Sequence, residues 1–188
     1  MKIFAIGASA GGVEALKAIL PAFNQRNDCA ILVLHLPADG PNLLPSIYKD
    51  ICTWTIKEAE SSEEIRPRTL YVAPPDYHLN VEPDGTLALS SEPTVNFSRP
   101  SIDILMESAA VSFKESVIGI LLTGANHDGA RGLKKIHDYG GITIIQDPQE
   151  AEYSTMPAAC LDLFTPTHIL SLSEISKFIS KVRSYDEV

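Results

Sequence analysis

The sequence predicts an α/β fold in which a doubly wound, mostly parallel sheet carries helices on both faces. Short apolar runs rich in β-branched residues alternate with stretches of helical periodicity, an arrangement typical of a parallel sheet. The 188 residues include 45% hydrophobic and 21% charged residues, which are ordinary globular values. We therefore expect a single domain over residues 1–188, large enough to bury a substantial core.

The alternating pattern assigns six strands and six helices. The strands are expected at Lys2 to Ile6, Ala30 to Leu34, Thr53 to Lys57, Thr69 to Ala73, Val117 to Leu122 and Ile142 to Gln146. The helices are expected at Gly12 to Ala22, Leu43 to Tyr48, Ser101 to Phe113, Gly129 to Tyr139, Pro157 to Leu161 and Leu172 to Val182. Gly140 and Gly141 end the fourth helix in the way that a left-handed C-cap requires.

One segment departs from this alternation. Between Tyr77 and Ser90, two alternating runs flank the turn Pro83-Asp84-Gly85, which is a hairpin signature. We therefore expect an antiparallel hairpin near residues 77–90 that interrupts the parallel sheet.

Charge and cysteine content narrow the function classes. A formal net charge of −9 argues against binding to nucleic acid and favours a neutral or cationic protein partner. Cys29, Cys52 and Cys160 lack the spacing of a disulfide framework or a zinc site, so we expect reduced thiols, no metal and no cofactor. Met1 and Lys2 lead directly into the first strand, and no apolar stretch approaches the length of a membrane span. We expect a cytoplasmic protein that is not inserted in a membrane.

The turn around Ser9 is the first candidate for chemistry. Gly7-Ala8-Ser9-Ala10-Gly11-Gly12 stands between an apolar strand and a helical stretch, and it matches the Gly-x-Ser-x-Gly pattern of a nucleophilic serine. A glycine-rich turn at a helix start also suits a phosphate, although the dinucleotide fingerprint is not met in register. A third interpretation is structural, with Ser9 as the N-cap of the following helix.

Two further polar residues follow predicted strands. His35 comes directly after the second strand, and Asp128 comes after the strand that ends near Leu122. Because ligands of open α/β sheets bind outside the carboxyl ends of the strands, these residues and Ser9 predict a Ser-His-Asp hydrolase site. The alternatives are a histidine satisfied at the edge of the core and an aspartate that caps the helix beginning near Gly129.

Eight segments spread over the chain share a family pattern. They are, in order, Ile6 to Leu16, His35 to Pro37, Tyr71 to Leu79, Ser98 to Asp103, Leu121 to Gly124, Asp128 to Leu133, Gln146-Asp147 and Met156-Pro157. In these segments the chain resembles the CheB-type chemotaxis methylesterase domain. The resemblance implies hydrolysis of glutamyl methyl esters on a methylated chemoreceptor or receptor-like protein, with release of methanol, and in some members deamidation of receptor glutamines. It implies Ser9 as nucleophile, His35 as base and Asp128 as the third triad member. We expect no receiver domain of the kind that usually precedes this domain in the family.

Several residues around the expected site depart from the family pattern. Leu34 replaces a glutamine, and residues Ala38 to Asn42 replace a helix start rich in Phe and Thr. Ala125 and Asn126 replace the Met-Gly pair of the family's Thr-Gly-Met-Gly-x-Asp motif. The backbone amides of Ala10 and Ala125 remain candidates for the oxyanion hole, and Arg99 is a candidate for contact with an acidic receptor segment or for pairing with a surface carboxylate.

Three functions remain open at this point. The intact Ser, His and Asp set favours an active protein-glutamate methylesterase. The altered segments leave room for a non-catalytic signalling or interaction module on the same fold. The glycine turn alone would fit a nucleotide-binding α/β domain.

Overall fold

Seven parallel strands form the central sheet of the protein. The computed structural model describes residues 1–23, 27–36 and 43–182. The sheet strands are β1 (Ile3–Ala8), β2 (Cys29–Leu34), β3 (Thr55–Glu58), β5 (Thr69–Val72), β8 (Val117–Leu121), β9 (Ile142–Gln146) and β10 (His168–Leu170). Their order across the sheet is β10-β9-β8-β1-β2-β5-β3, and every neighbouring pair is parallel.

The central strands are buried on both faces, which explains their continuous apolar runs. Every residue of β1, β2 and β8 is buried. Parallel strands covered by helices on both sides have no solvent-facing side to fill with polar residues. The predicted α/β class with helices on both faces is therefore confirmed.

Six α-helices in the described part of the chain cover the two faces of the sheet. They are α1 (Gly12–Ile19), α2 (Leu44–Tyr48), α3 (Ile102–Phe113), α4 (Ala130–Asp138), α5 (Thr155–Leu161) and α6 (Leu172–Lys181). Side chains of α1, α2 and α6 pack with Phe4, Ile6 and Leu32 on one face. Those of α3, α4 and α5 pack with Ile3, Ala5 and Ile31 on the other face. None of the helices within the described ranges is long and apolar enough to cross a membrane.

The predicted hairpin exists, but it lies in a separate sheet and does not interrupt the parallel one. β6 (His78–Val81) and β7 (Thr86–Ser90) pair antiparallel, and β7 also pairs with β4 (Glu63–Glu64). The backbone of Val81 exchanges hydrogen bonds with the hydroxyls of Ser108 and Ser112 on α3. These contacts place the hairpin beside α3.

Two short strands were not predicted. β4 is a pair of glutamates and β10 has three residues, of which Ile169 is exposed. Neither segment is long enough to show a periodic pattern. Their pairing is set by the neighbouring strands, so it is not visible in the local sequence.

The order of the strands creates a crevice beside β1. From β1 the chain first forms β2, β3 and β5 on one side, with β5 between β2 and β3, and later returns to the opposite side of β1 with β8. Adjacent connections that leave in opposite directions open a crevice at the carboxyl ends of the strands, where open α/β sheets bind their ligands. The crevice lies at the ends of β1, β2 and β8.

Candidate active site

The three central strands bring Ser9, His35 and Asp128 together. β1 and β2 pair with Ala8 opposite Leu34, so the next residues along the two strands, Ser9 and His35, lie side by side. The backbone N–H of His35 donates to the carbonyl of Ala8, and that of Ser9 donates to the carbonyl of Thr123 beyond β8. The register of the strands thus fixes the relative backbone positions of the serine and the histidine.

The imidazole of His35 connects Ser9 to Asp128. Its Nδ1 atom lies 3.3 Å from the Ser9 hydroxyl, and its Nε2 atom lies 2.9 Å from Oδ2 of Asp128. Since a carboxylate can only accept, Nε2 carries the proton and Nδ1 presents its lone pair towards Ser9. This is the tautomer that a general base for the Ser9 hydroxyl needs.

Asp128 is fully buried, and its carboxylate is supplied with donors. Besides His35, it accepts hydrogen bonds from the Asn96 amide (2.9 Å), the Ser101 hydroxyl (2.8 Å), the Ile102 N–H (2.6 Å) and the Asp103 N–H (3.3 Å). Burial alone would raise the pKa of Asp128, but hydrogen bonds from the His35, Asn96, Ile102 and Ser101 donors hold that pKa below its ordinary value. The group is therefore held as an anion beside the imidazole.

Two aspartates cap each other's helices. Asp128 precedes α4 but accepts the first N–H groups of α3, whereas Asp103, in the first turn of α3, accepts the N–H groups of Gly129 (3.0 Å) and Gly132 (2.7 Å) at the start of α4. The suggestion that Asp128 caps the helix near Gly129 is therefore wrong, because its carboxylate points to the neighbouring helix. The exchange ties α3 to α4 and orients Asp128 towards His35.

The turn after β1 presents the Ser9 hydroxyl to the histidine. Gly11 is the N-cap of α1 with φ of 77°, and this helix has no side-chain cap. The interpretation of Ser9 as a helix cap is therefore wrong. A side chain at Gly11 would be strained by its positive φ, and its Cβ would lie 2.8 Å from Oε2 of Glu152.

The two candidate oxyanion donors come from the Ser9 turn and from the loop after β8. Ala10 follows the serine directly, and Ala125 belongs to the loop after β8. In the described part of the chain, neither backbone N–H donates to another protein group. Both amides are thus free to bind an oxygen that develops negative charge, and their oxyanion role stays a prediction.

Arg99 lies beside His35 but is engaged within the protein. It lines a cavity of about 320 Å³ together with His35, Asp76 and Phe97. Its guanidinium pairs with Asp76 at 2.6 Å and donates to the carbonyls of Ser91 and Glu92. These contacts match the alternative of a paired surface arginine, and direct contact of Arg99 with a substrate stays a prediction.

Three supporting residues were not identified as site residues from the sequence. Asn96, with φ of 49°, donates to both Asp128 and Asp103. Ser101 caps α3 and donates to Asp128. Asn126 lies against Nδ1 of His35 at 3.3 Å. A serine before a helical run was a visible signal for Ser101, and Asn126 was noted only as a departure from the family motif. Asn96 reaches the site through a loop whose path no local pattern predicts. The altered loop at Ala38 to Asn42 lies outside the described residues.

The chain is similar in sequence to a known protein family. The model of the CheB methylesterase family matches residues 4–179. A Leptospira interrogans protein, provisionally named protein-glutamate methylesterase/protein-glutamine glutaminase, is 43% identical over 178 residues, covering 94% of this chain and 92% of that protein. A Yersinia pestis protein with that enzyme name is 32% identical over 94% of this chain, which spans about half (51%) of its length.

A solved structure shows the same fold. The crystal structure of the Thermotoga maritima CheB methylesterase catalytic domain superposes with a TM-score of 0.89 at 30% identity, covering 96% of this chain and 97% of that domain. The match to the family model extends from β1 into α6 and includes all three strand ends that carry Ser9, His35 and Asp128. The chain belongs to the CheB methylesterase family.

Proposed function

We propose that the protein is a serine hydrolase that removes methyl groups from protein-glutamyl methyl esters and releases methanol. The observation that carries the proposal is the hydrogen-bonded chain from Ser9 through His35 to the buried Asp128, at the crevice of a CheB methylesterase fold. A nucleophile, a base in the correct tautomer and an anion behind it are the parts that acyl transfer requires.

The first half of the reaction forms an acyl-enzyme. The Ser9 oxygen attacks the ester carbonyl carbon while Nδ1 of His35 takes the hydroxyl proton, and the Asp128 carboxylate stabilises the resulting imidazolium through Nε2. The carbonyl oxygen becomes an oxyanion that the N–H groups of Ala10 and Ala125 would bind. The imidazolium then returns its proton to the methoxide oxygen, and methanol leaves.

The second half restores the enzyme. A water molecule attacks the acyl carbon while Nδ1 of His35 takes one of its protons, and the proton passes to the Ser9 oxygen as the acyl bond breaks. The product is a glutamic acid side chain, which releases its proton to solvent and becomes a carboxylate. The same sequence on a glutamine side chain would release ammonia, which is the glutaminase activity included in the names of the relatives.

The proposed substrate is a methylated chemoreceptor or receptor-like protein in the cytoplasm. An exposed aromatic ring suits contact with a protein surface: Phe97, which lines the cavity beside His35, is fully exposed. The net charge of −9 favours a receptor segment that is neutral or basic around its methylated glutamate.

Methanol release from receptor membranes bearing methyl esters tests this proposal. The wild-type protein should release methanol, and Ser9→Ala should lower the rate to background. His127→Ala is the matched control, because this exposed histidine adjoins Asp128 in sequence without contacting the His35 imidazole; it should keep the wild-type rate. Equal release by the wild-type protein and Ser9→Ala would refute the catalytic proposal and favour a non-catalytic signalling module.

A further inference from the structure

We infer that Asn126 is a positioning residue that competes with Ser9 for the lone pair of His35 and thereby restrains proton transfer from the serine. The inference rests on the proposed role of His35 as base. It concerns how readily this base accepts a proton, which the relatives' names do not address.

The orientation of the Asn126 amide is fixed by the backbone. Its Oδ1 atom accepts the N–H of Asp128 at 3.0 Å, which requires the carbonyl end of the amide to face that N–H. The NH₂ end therefore faces Nδ1 of His35, at 3.3 Å. The residue that anchors the other side of the imidazole, Asp128, thus also determines which end of Asn126 meets the ring.

Two donors meet one acceptor at Nδ1. The Ser9 hydroxyl and the Asn126 NH₂ group are both 3.3 Å from this atom, which has a single lone pair. Both distances are longer than those of a strong hydrogen bond, as expected when two donors share one acceptor. The amide therefore occupies part of the lone pair that must take the proton of Ser9.

Proton transfer turns this contact from favourable to unfavourable. When the proton of the Ser9 oxygen moves to Nδ1, the ring nitrogen becomes an N–H donor, and it then faces the NH₂ donors of Asn126. The amide hence stabilises the neutral imidazole and disfavours the imidazolium. For the reaction to proceed, the contact between Asn126 and Nδ1 has to loosen.

The other charged groups near the ring can be separated from this effect. Asp128 faces Nε2 from the loop after β8, and the mutually paired Asp76 and Arg99 line the cavity beside the ring. Glu152 packs against Gly11 in the turn after β1. Substitution of Asn126 leaves all of these groups in place, so a change in the titration midpoint of His35 would be due to loss of the Asn126 amide.

The test measures the protonation of His35 as a function of pH in the whole chain, by NMR of protein labelled with ¹⁵N-histidine. The His35 signal is assigned by its absence from the spectrum of His35→Gln. Asn126→Ala removes the amide, and its titration midpoint should rise by about 0.5 to 1 pH unit, because one hydrogen bond is worth about that much. Asn126→Asp keeps an acceptor for the Asp128 N–H and turns the second oxygen towards Nδ1, so its midpoint should rise further. An unchanged or lower midpoint in both variants would overturn the inference.

A second measurement reads the serine directly. A serine-reactive fluorophosphonate needs no receptor to react. Above pH 8 it should modify Ser9 about two to ten times faster in Asn126→Ala than in the wild-type protein, because the Nδ1 lone pair is then free for the serine and one net hydrogen bond corresponds to about that factor. A slower reaction with an unchanged titration would identify a merely structural role and contradict the inference. Absence of Ser9 modification in every variant would contradict the proposed function, while the titration would still decide the role of Asn126.

Discussion

The two ring nitrogens of His35 face very different surroundings. On the Asp128 side, Nε2 meets a fully buried carboxylate at 2.9 Å that is itself held by four further donors. On the Ser9 side, Nδ1 meets two donors, each at the longer distance of 3.3 Å. The difference shows that short contacts hold the imidazole at Nε2, whereas its contacts at Nδ1 are long enough to rearrange. Nδ1 is the atom that must take the proton of Ser9.

The largest effect on activity is expected from Asp128→Asn, which changes only the Nε2 side of the imidazole. The variant loses the anion behind the imidazole and places an NH₂ group among the donors of Asn96, Ser101 and Ile102. Methanol release should fall about 10⁴-fold, as for the equivalent change in serine proteases. The free energy of unfolding should fall by about 2 to 4 kcal/mol, because buried donors lose their acceptor.

The control for this stability loss is Asp138→Ala. Asp138 is a half-exposed aspartate at the end of α4 that pairs only with Lys134 in the described chain. Its removal should leave the free energy of unfolding nearly unchanged, since exposed pairs contribute little. Urea unfolding of both variants checks the contrast, and an equal loss in the two would contradict the structural role assigned to Asp128.

Acidification should affect activity and stability in separate pH ranges. Protonation of His35 removes the base, so the rate should fall from its plateau as the pH is lowered. The pKa of Asp128 is lowered in the folded protein, so the stability from its hydrogen bonds is present above the ordinary carboxyl pKa of about 3.9 and is lost as the pH falls through the lowered value. Methanol release and circular dichroism followed over the same pH range check this. A rate that stays constant down to pH about 5 would exclude His35 as the base.

A smaller effect is expected from Gly11→Ala, which disturbs the Ser9 side alone. The φ of 77° and the approach of Glu152 to 2.8 Å strain a new side chain, so the variant should lose about 1 to 2 kcal/mol of stability. A displaced serine turn should also lower methanol release about tenfold or more, given how steeply rates depend on position.

Gly85→Ala separates backbone strain from an effect on the site. Gly85 also has a positive φ, 84°, but a Cβ there meets nothing within 4 Å, and it lies in the turn between β6 and β7. This variant should lose similar stability and keep the wild-type rate. An equal loss of activity in both glycine variants would show that the conformation of the Ser9 turn is not specifically required for catalysis.

The sequence predicted the central sheet and its polar strand ends because both are local features. Apolar runs such as Ile31-Leu32-Val33-Leu34 mark buried strands, and His35 follows that run directly. Parallel strands place the residues after their ends at one edge, so the order of residues along the chain is enough to group Ser9, His35 and Asp128.

The support of the site could not be predicted in the same way. Asp128 precedes α4 in the chain and caps α3, a partner that only the packing of the two helices creates. Asn96 reaches the same carboxylate from a loop in the left-handed region. Such contacts join segments about 25 to 32 positions apart in the chain, so they depend on tertiary structure, as does the pairing of the short strands β4 and β10.

The most direct test of the account is the rate at which a fluorophosphonate modifies Ser9, measured by intact mass and peptide mapping at pH 8 in the wild-type protein and in His35→Ala. The account predicts modification of the wild-type protein at Ser9 alone and a rate in His35→Ala that is lower by about 10³-fold or more, because the base is lost. Equal rates in the two proteins, or modification at another residue, would contradict the claim that Ser9 is a nucleophile activated by His35.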